Sequence, residues 1–331
     1  MKLLDLPALP SSKTAAPEPG PCRAVVTLGG GGARGLAHLG ALEAIGESGV
    51  LTERIVGVSI GGLMGGLYAV HQDIYRMQAA AMQLLDSPMF SASCNQLLGS
   101  ASQVGSRGKG RVVATPPSSV WYSDWYTRIV RLIRTGRHVG RLLSGPALMT
   151  SGILDEAIEQ LIPDIDLQET AIPISIVAAD LVSGHRIVLE TGSLRKAILA
   201  STAIPGFFPP VAWGDAMLCD IGVLDSLPLT IAKSYPADLV IGVDVGSGLQ
   251  RSGPCESAVE VMMRVEEIGE QLHRRHSLRH GDLIIRPDVG HRHWYDFRNP
   301  ERLIEEGRRA GRRVLAELPH RKFSQRVCAP T

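Results

Sequence analysis

Apolar residues fall into short dense runs separated by longer stretches where they recur every three or four positions. The dense runs are Arg23–Leu28, Ile55–Val58, Ile172–Asp180, Ala216–Cys219, Ala237–Asp244 and Asp282–Arg286. Ile172–Asp180 is apolar almost without a break, the mark of a strand covered on both faces, as in parallel sheets. Gly184 turns the chain after it, and Arg186–Glu190 pairs back. The periodic stretches predict helices over Leu36–Ser48, closed by Gly49, and over Ile60–Val70, continuing through residues 71–86. Further helices are predicted at Ile153–Leu161, Ser193–Ala200 with Ser193 as its cap, Val259–Leu278 and Pro300–Leu318, the last with its arginines on the solvent side. Strand and helix alternate. The predicted fold is therefore α/β, a mainly parallel central sheet with helices on both faces, in three α/β/α layers.

The alternation fails in two places. Residues 1–22 are rich in Pro, Ala and Ser without apolar period and read as a disordered tail, as do 319–331. The domain predicted between them, 23–318, carries an inserted region at 87–150. There the pattern dissolves into Gly, Ser and Pro from Ser87 to Ser119. A helix then follows over Trp121–Arg134, with Trp121, Tyr122, Trp125, Tyr126, Ile129 and Val130 on one half of the wheel and Arg128, Arg131 and Arg134 on the other. Such a helix either packs its apolar face on its own domain or lies on an anionic lipid surface, where Trp121, Trp125, Arg128 and Arg131 would make the contact.

Composition narrows the picture. Of 331 residues 44% are apolar and 20% charged, as in soluble globular proteins, and a net charge of +1 argues against a nucleic-acid partner. Basic residues concentrate in 101–150, where eight Lys/Arg face a single acid, Asp124. Five scattered cysteines without a C-x-x-C suit a reducing compartment and neither a disulfide framework nor a zinc site. Asp5 and Pro7 break the N-terminal apolar run, so no signal peptide is expected, and no run is long enough to span a bilayer. A cytoplasmic protein, with peripheral membrane contact if 121–134 is interfacial, is the expectation.

Two glycine motifs carry candidate chemistry. Gly57-Val-Ser-Ile-Gly61 follows a strand and precedes a helix, the context of a nucleophile elbow. Ser59 would sit on the strained turn, and the helix N-terminus would face a developing oxyanion. Gly29-Gly-Gly-Gly-Ala-Arg-Gly35 also links strand to helix and exposes successive backbone N–H groups to an anion. It fits a dinucleotide fingerprint through Gly30, Gly32 and Gly35, but the second strand ends in Gly57-Val58-Ser59 without the acid that fingerprint requires. An oxyanion hole for Ser59, built from Gly30, Gly31, Gly32 and Ile60, is the stronger reading, with Arg34 orienting the loop or meeting a phosphate headgroup.

The base is open on the residues alone. Asp180, Asp220 and Asp244 each end an apolar strand, where burial would raise a carboxylate's basicity. A Ser–His–Asp triad would draw instead on His273, His276, His280, His291 or His293.

Leu28-Gly-Gly-Gly-Gly-Ala-Arg-Gly35, Gly57–Gly61, Ser201-Thr-Ala-Ile-Pro-Gly-Phe-Phe-Pro-Pro210 and Asp220-Ile-Gly-Val-Leu-Asp-Ser-Leu-Pro228 together resemble the patatin-like phospholipase family. The resemblance covers Arg23–Val70 and Pro173–Gly246. It implies a Ser59–Asp220 dyad without catalytic histidine, no cofactor or metal, and a lipid acyl ester as substrate of a phospholipase or lysophospholipase type. Gly35, Gly57, Gly61 and Gly222 are its motif glycines. Ile221 departs from the family's D-G-[GA], because a β-branched residue resists positive φ. That departure, together with the basic, aromatic 101–141 region, motivates the alternative of an inactive membrane- or protein-binding adaptor on the same fold.

Overall fold

The computed structural model describes residues 22–88, 90, 147, 150–222, 224–248, 255, 258–290, 292 and 296–318. The elements in order are β1 (Arg23–Leu28), α1 (Ala37–Glu47), β2 (Leu51–Val58), α2 (Ile60–His71), α3 (Ile74–Asp86), α4 (Gly152–Leu161), β3 (Ile174–Asp180), β4 (Arg186–Leu189) and α5 (Leu194–Thr202). They continue as β5 (Val211–Trp213), β6 (Ala216–Cys219), α6 (Leu229–Ala232), β7 (Leu239–Val243), α7 (Ala258–Ser277), β8 (Leu283–Ile285) and α8 (Pro300–Leu315).

All strands join one sheet in the order β5-β6-β3-β2-β1-β7-β8, with β4 paired to β3 off that path. The run β3-β2-β1-β7-β8 is parallel throughout, whereas β4, β5 and β6 are antiparallel additions at one side. The sheet is thus mainly parallel, as expected. Alternate side chains of its strands go to opposite faces. Ala24, Val26, Leu28, Ile55, Ile174, Ile176 and Ile241 pack in the larger core beneath α1, α2, α5 and α8. Val25, Val56, Val58, Val177 and Val240 pack on the other face with Leu227, Leu229 and Ile231 around the single turn of α6. The helical layers are therefore unequal.

Three local differences from the sequence expectation have physical causes. The helix predicted through residue 86 is two helices. Gln72 takes left-handed φ 52 and ends α2, and the Asp73 carboxylate then accepts from the Tyr75 and Arg76 N–H at 3.0 and 3.1 Å to start α3. The glycine loop leads first into a short 3-10 turn, Gly32–Leu36, so α1 starts only at Ala37. The arginines of α8 are not all solvent-facing. Arg308 makes a two-pronged bond to Glu43 of α1, at 2.7 and 2.8 Å, and Arg312 does the same with Glu47 at 2.9 Å. Arg302, Arg309, Arg312 and Arg313 remain exposed to solvent.

The predicted helix at 121–134, with Trp121, Trp125, Arg128 and Arg131, lies outside the described residues, as do the two tails and nearly all of the inserted region. Among the described residues no helix is long and apolar enough to cross a membrane.

Neighbour β2 lies on one side of β1 and β7 on the other. The loop leaving β1 therefore opens at the switch point of the sheet, where the carboxyl ends of parallel strands leave a crevice. That loop is Gly29–Gly32.

Candidate active site

Ser59 is the N-terminal cap of α2, with φ 55 and ψ −126. A non-glycine residue rarely holds positive φ, and this one is held by crowding around it. A Cβ on Gly57 would lie 2.6 Å from the Gly62 Cα, and one on Gly61 would lie 2.1 Å from the Leu28 carbonyl oxygen. Only glycine lets strand, turn and helix close this tightly. The Ser59 and Leu63 backbones then meet in the first turn of α2, where the Gly62 and Leu63 N–H donate to the Ser59 carbonyl at 2.9 and 3.1 Å. Ile60, the first helical residue, has no such acceptor among the described residues.

The loop after β1 is pinned on several sides. The Gly29 N–H donates to the Val243 carbonyl at 3.2 Å. Its carbonyl is met at 2.8 Å by Nε2 of His38, a buried residue whose pKa burial pushes down to about 4. A neutral imidazole donating from Nε2 fits that contact. Arg34 is buried and folds back, donating to the Gly31 carbonyl at 3.0 Å and to Ser247 Oγ at 2.6 Å. It therefore orients the loop, one of the two uses its sequence position suggested. A Cβ on Gly35 would sit 2.4 Å from the Ile60 side chain, so this glycine brings loop and elbow together.

One expected oxyanion donor is corrected. The Gly30 N–H is already spent on the Ser226 carbonyl at 2.9 Å, which ties the glycine loop to the loop between β6 and α6. Gly30 contributes space, its Cα side lying against Ser59 and Gly222. Gly31 and Gly32 have no backbone acceptor for their N–H among the described residues and line the cavity in front of Ser59. Gly32 takes φ 57, a conformation that turns its amide away from the strand direction and favours glycine.

Asp220 follows β6 directly and is buried. Its carboxylate accepts from the Gly222 N–H at 2.7 Å, and the Ser59 hydroxyl stands beside it. Burial raises its pKa to about 6, against the lowering effect of the hydroxyl and the amide. The other two strand-end acids are differently employed. Asp180 accepts from Ser183 Oγ at 2.6 Å and from the Met217 and Val182 N–H, which together hold it down to about 2 and fasten the β3–β4 turn. Asp244 is flanked by Arg274 and Arg286, at 3.6 and 3.1 Å. Ile221 needs no positive φ, and neither does Gly222. Instead the Ile221 side chain is buried in the thinner core, and its carbonyl accepts from the Leu224 and Asp225 N–H. The turn closes without the left-handed glycine, so the departure costs Asp220 nothing in placement.

The histidines do not join this group. His273 lies 3.6 Å from Asp225, and the His276 and His280 rings touch each other. His291 and His293 lie outside the described residues. Three contributors were not legible as site residues in the sequence: His38, Ser201 and Ser247. Ser201 Oγ accepts from the Ser59 N–H at 2.8 Å. Each is an ordinary residue type, and only long-range contact gives it a place here.

In front of Ser59 lies a cavity of about 270 Å³. Its lining is largely apolar, including Leu63, Met64, Leu84, Leu161, Phe208 and Phe297. Polar residues in the lining include Ser247, Glu266, Glu270, Gln271 and Arg274. Burial raises the pKa of both Glu266 and Glu270. A hydroxyl, a buried carboxylate, amide donors and an apolar channel thus share one pocket, an arrangement suited to acyl transfer from an ester with a hydrocarbon tail.

Several known proteins resemble this chain. An uncharacterised NTE family protein of Mycobacterium tuberculosis is 28% identical over 241 residues, covering 71% of this chain and 52% of the relative. The chain thus spans about half the length of that relative. Patatin-like phospholipase domain-containing protein 7 of Rattus norvegicus is 26% identical over 224 residues, covering 67% of this chain and 13% of the relative. Among solved structures, VipD from Legionella pneumophila aligns with a TM-score of 0.42 at 16% identity, covering 89% of this chain and 67% of that one. The ExoU–SpcU complex of Pseudomonas aeruginosa aligns at 0.38 and 18%, covering 91% and 52%. The family model for patatin-like phospholipase matches residues 26–233, more than half of the chain and inclusive of the glycine loop, the elbow and Asp220, and the chain belongs to the patatin-like phospholipase family.

Proposed function

We propose that this protein is a serine acyl hydrolase acting on lipid esters, with Ser59 as nucleophile and Asp220 as its base. One observation carries the reading: the Ser59 hydroxyl stands beside a buried carboxylate whose pKa is raised to about 6. A carboxylate at its ordinary value is a weak base for a hydroxyl. One raised toward neutrality holds the proton better and is still ionised at pH 7.

In the acylation step Ser59 Oγ attacks the ester carbonyl carbon and its proton passes to Asp220. Negative charge grows on the carbonyl oxygen, where the Gly31, Gly32 and Ile60 N–H would receive it. Loss of one such donor typically costs about 3–4 kcal/mol of barrier. When the adduct collapses, Asp220 returns the proton to the departing alkoxide and the acyl group stays on Ser59. Water then attacks the acyl-serine as its proton passes to Asp220; collapse of this second adduct releases the free acid, and Asp220 returns the proton to Ser59 Oγ. The apolar residues lining the cavity suit an acyl chain, and its polar residues suit a polar leaving group. Ile221 takes no positive φ and Asp220 is buried beside Ser59, which weakens one of the two motives for the inactive-adaptor alternative; the other, the 101–141 region, lies outside the described residues.

The test is a fluorophosphonate probe and a soluble short-chain ester. Wild type should be labelled at Ser59 and turn the ester over; Ser59→Ala should do neither, and Asp220→Asn should lose at least about a hundredfold in kcat. Full esterase activity in Ser59→Ala would sink the reading.

A further inference from the structure

Parallel strands β2 and β3 are bonded through alternate residues. Ile55 stands opposite Ile174, and its N–H donates to the Pro173 carbonyl at 2.9 Å. The register continues with Gly57 opposite Ile176 and Val58 opposite Val177. Carried on by the same step, the ladder would send the Ser59 N–H to the Val177 carbonyl. That bond is replaced. The Ser59 N–H donates to Ser201 Oγ at 2.8 Å, and the Ser201 hydroxyl donates to the Val177 carbonyl at 2.7 Å. A hydroxyl can donate and accept at once, so one side chain satisfies both ends of the interrupted bond. Ser201 is wholly buried, near the end of α5. Two residues on, the Ala203 carbonyl accepts from the Asp220 N–H at 2.9 Å.

We propose that Ser201 is a positioning residue: its hydroxyl is a spacer that holds the Ser59 backbone off β3, and the end of α5 sets the separation of Ser59 from Asp220. This rests on Ser59 being the nucleophile. With the hydroxyl in place, the elbow keeps its strained backbone without leaving a buried amide or carbonyl unpaired. Without it, the Ser59 N–H and the Val177 carbonyl both lose their partner, and Ser59 is free to shift toward the strand. Asp220 does not follow, because its own tether is the Ala203 backbone. The hydroxyl and carboxylate then lose their alignment although neither has been altered.

The experiment compares wild type with Ser201→Ala and Ser201→Thr on a soluble short-chain ester, with melting temperature and exchange of the Ser59 amide followed alongside. Misplacement of a reacting group by about 1 Å can cost about a hundredfold. Ser201→Ala should lose about thirty- to a hundredfold in kcat with KM within about twofold, and its Ser59 amide should exchange faster. Ser201→Thr, which keeps the hydroxyl, should recover most of the rate. A Ser201→Ala enzyme whose melting temperature falls while kcat stays within about threefold of wild type would reduce Ser201 to a packing role. So would a Ser201→Thr enzyme that melts like wild type yet is as slow as Ser201→Ala. If wild type itself has no esterase activity, the nucleophile reading fails separately. The Ser59 amide still reports on the spacer then: faster exchange in Ser201→Ala supports it and unchanged exchange overturns it.

Discussion

At Ser59 and Asp220 the same burial that makes the chemistry available also works against the fold. Asp220 has an ordinary value of 3.8 and is raised to about 6 by desolvation. Its proton acceptance requires the ionised form, so kcat/KM for an ester should climb between pH 5 and pH 7 along an acid limb near 6 and level off above it. A flat profile from pH 5 to 8 would remove Asp220 as the base. The stability consequence has the opposite sign. The folded state keeps the proton up to about pH 6, whereas the unfolded chain releases it near 3.8, so folding stability falls as pH rises through that window and is constant above it. Asp220→Asn removes that loss. It should leave stability unchanged below about pH 4 and raise it at pH 8 by an amount bounded at roughly 3 kcal/mol, read from denaturant unfolding at the two pH values. An inactive variant that is no more stable at pH 8 than wild type would mean the carboxylate is not buried as an ion.

Helices α1 and α8 show why an apolar pattern does not reveal how closely two elements approach. Their backbones are nearly in contact. A Cβ on Gly40 would fall 1.8 Å from the Ile304 carbonyl oxygen, and one on Gly307 would fall 1.9 Å from that of Ala37. The paired bonds from Arg308 to Glu43 and from Arg312 to Glu47 run along the same seam. In the sequence Gly40 is a weak point in a predicted helix and the arginines of α8 are a solvated face. In the fold both belong to an interface. Gly40→Ala should therefore destabilise the protein by about 2–4 kcal/mol, against the gain of up to ~1 kcal/mol that alanine brings to an open helix interior. Urea unfolding decides the sign, and a neutral or stabilising result would mean that the two helices are free to move apart.

The glycine loop, the elbow and Asp220 all precede residue 233, yet the architecture does not end there. Strand β7 is one of the two neighbours of β1 and receives the Gly29 N–H through the Val243 carbonyl. Ser247 is fastened to the Gly31 loop through Arg34, and the Gln271 and Arg274 side chains of α7 donate to its carbonyl at 2.9 and 3.2 Å. Helix α8 covers α1. A chain truncated after residue 233 would carry every catalytic group proposed here with β1 turned into an edge and the larger core uncovered. It should show no cooperative thermal transition and no esterase activity in its soluble fraction. A truncated protein that melts cooperatively and hydrolyses ester would show that the C-terminal third is dispensable.

Legible in the chain were the sheet-forming runs, the parallel character of the sheet, the glycine loop beside the serine elbow, and Asp220 once the family resemblance was taken into account. These are local: burial on both strand faces leaves an uninterrupted apolar run, and a turn that admits no Cβ leaves glycines at set offsets from the serine. Beyond local pattern were the choice among Asp180, Asp220 and Asp244, the engagement of the Gly30 amide, and the parts played by His38, Ser201 and Ser247. Each depends on which distant groups compete for the same hydrogen bond or charge. Asp180 is held low by the turn it fastens, Asp244 is flanked by arginines, and Asp220 is raised by burial beside the Ser59 hydroxyl. Spacing along the chain says nothing of that competition, because the partners are brought together only when the strands pair and the helices close over them.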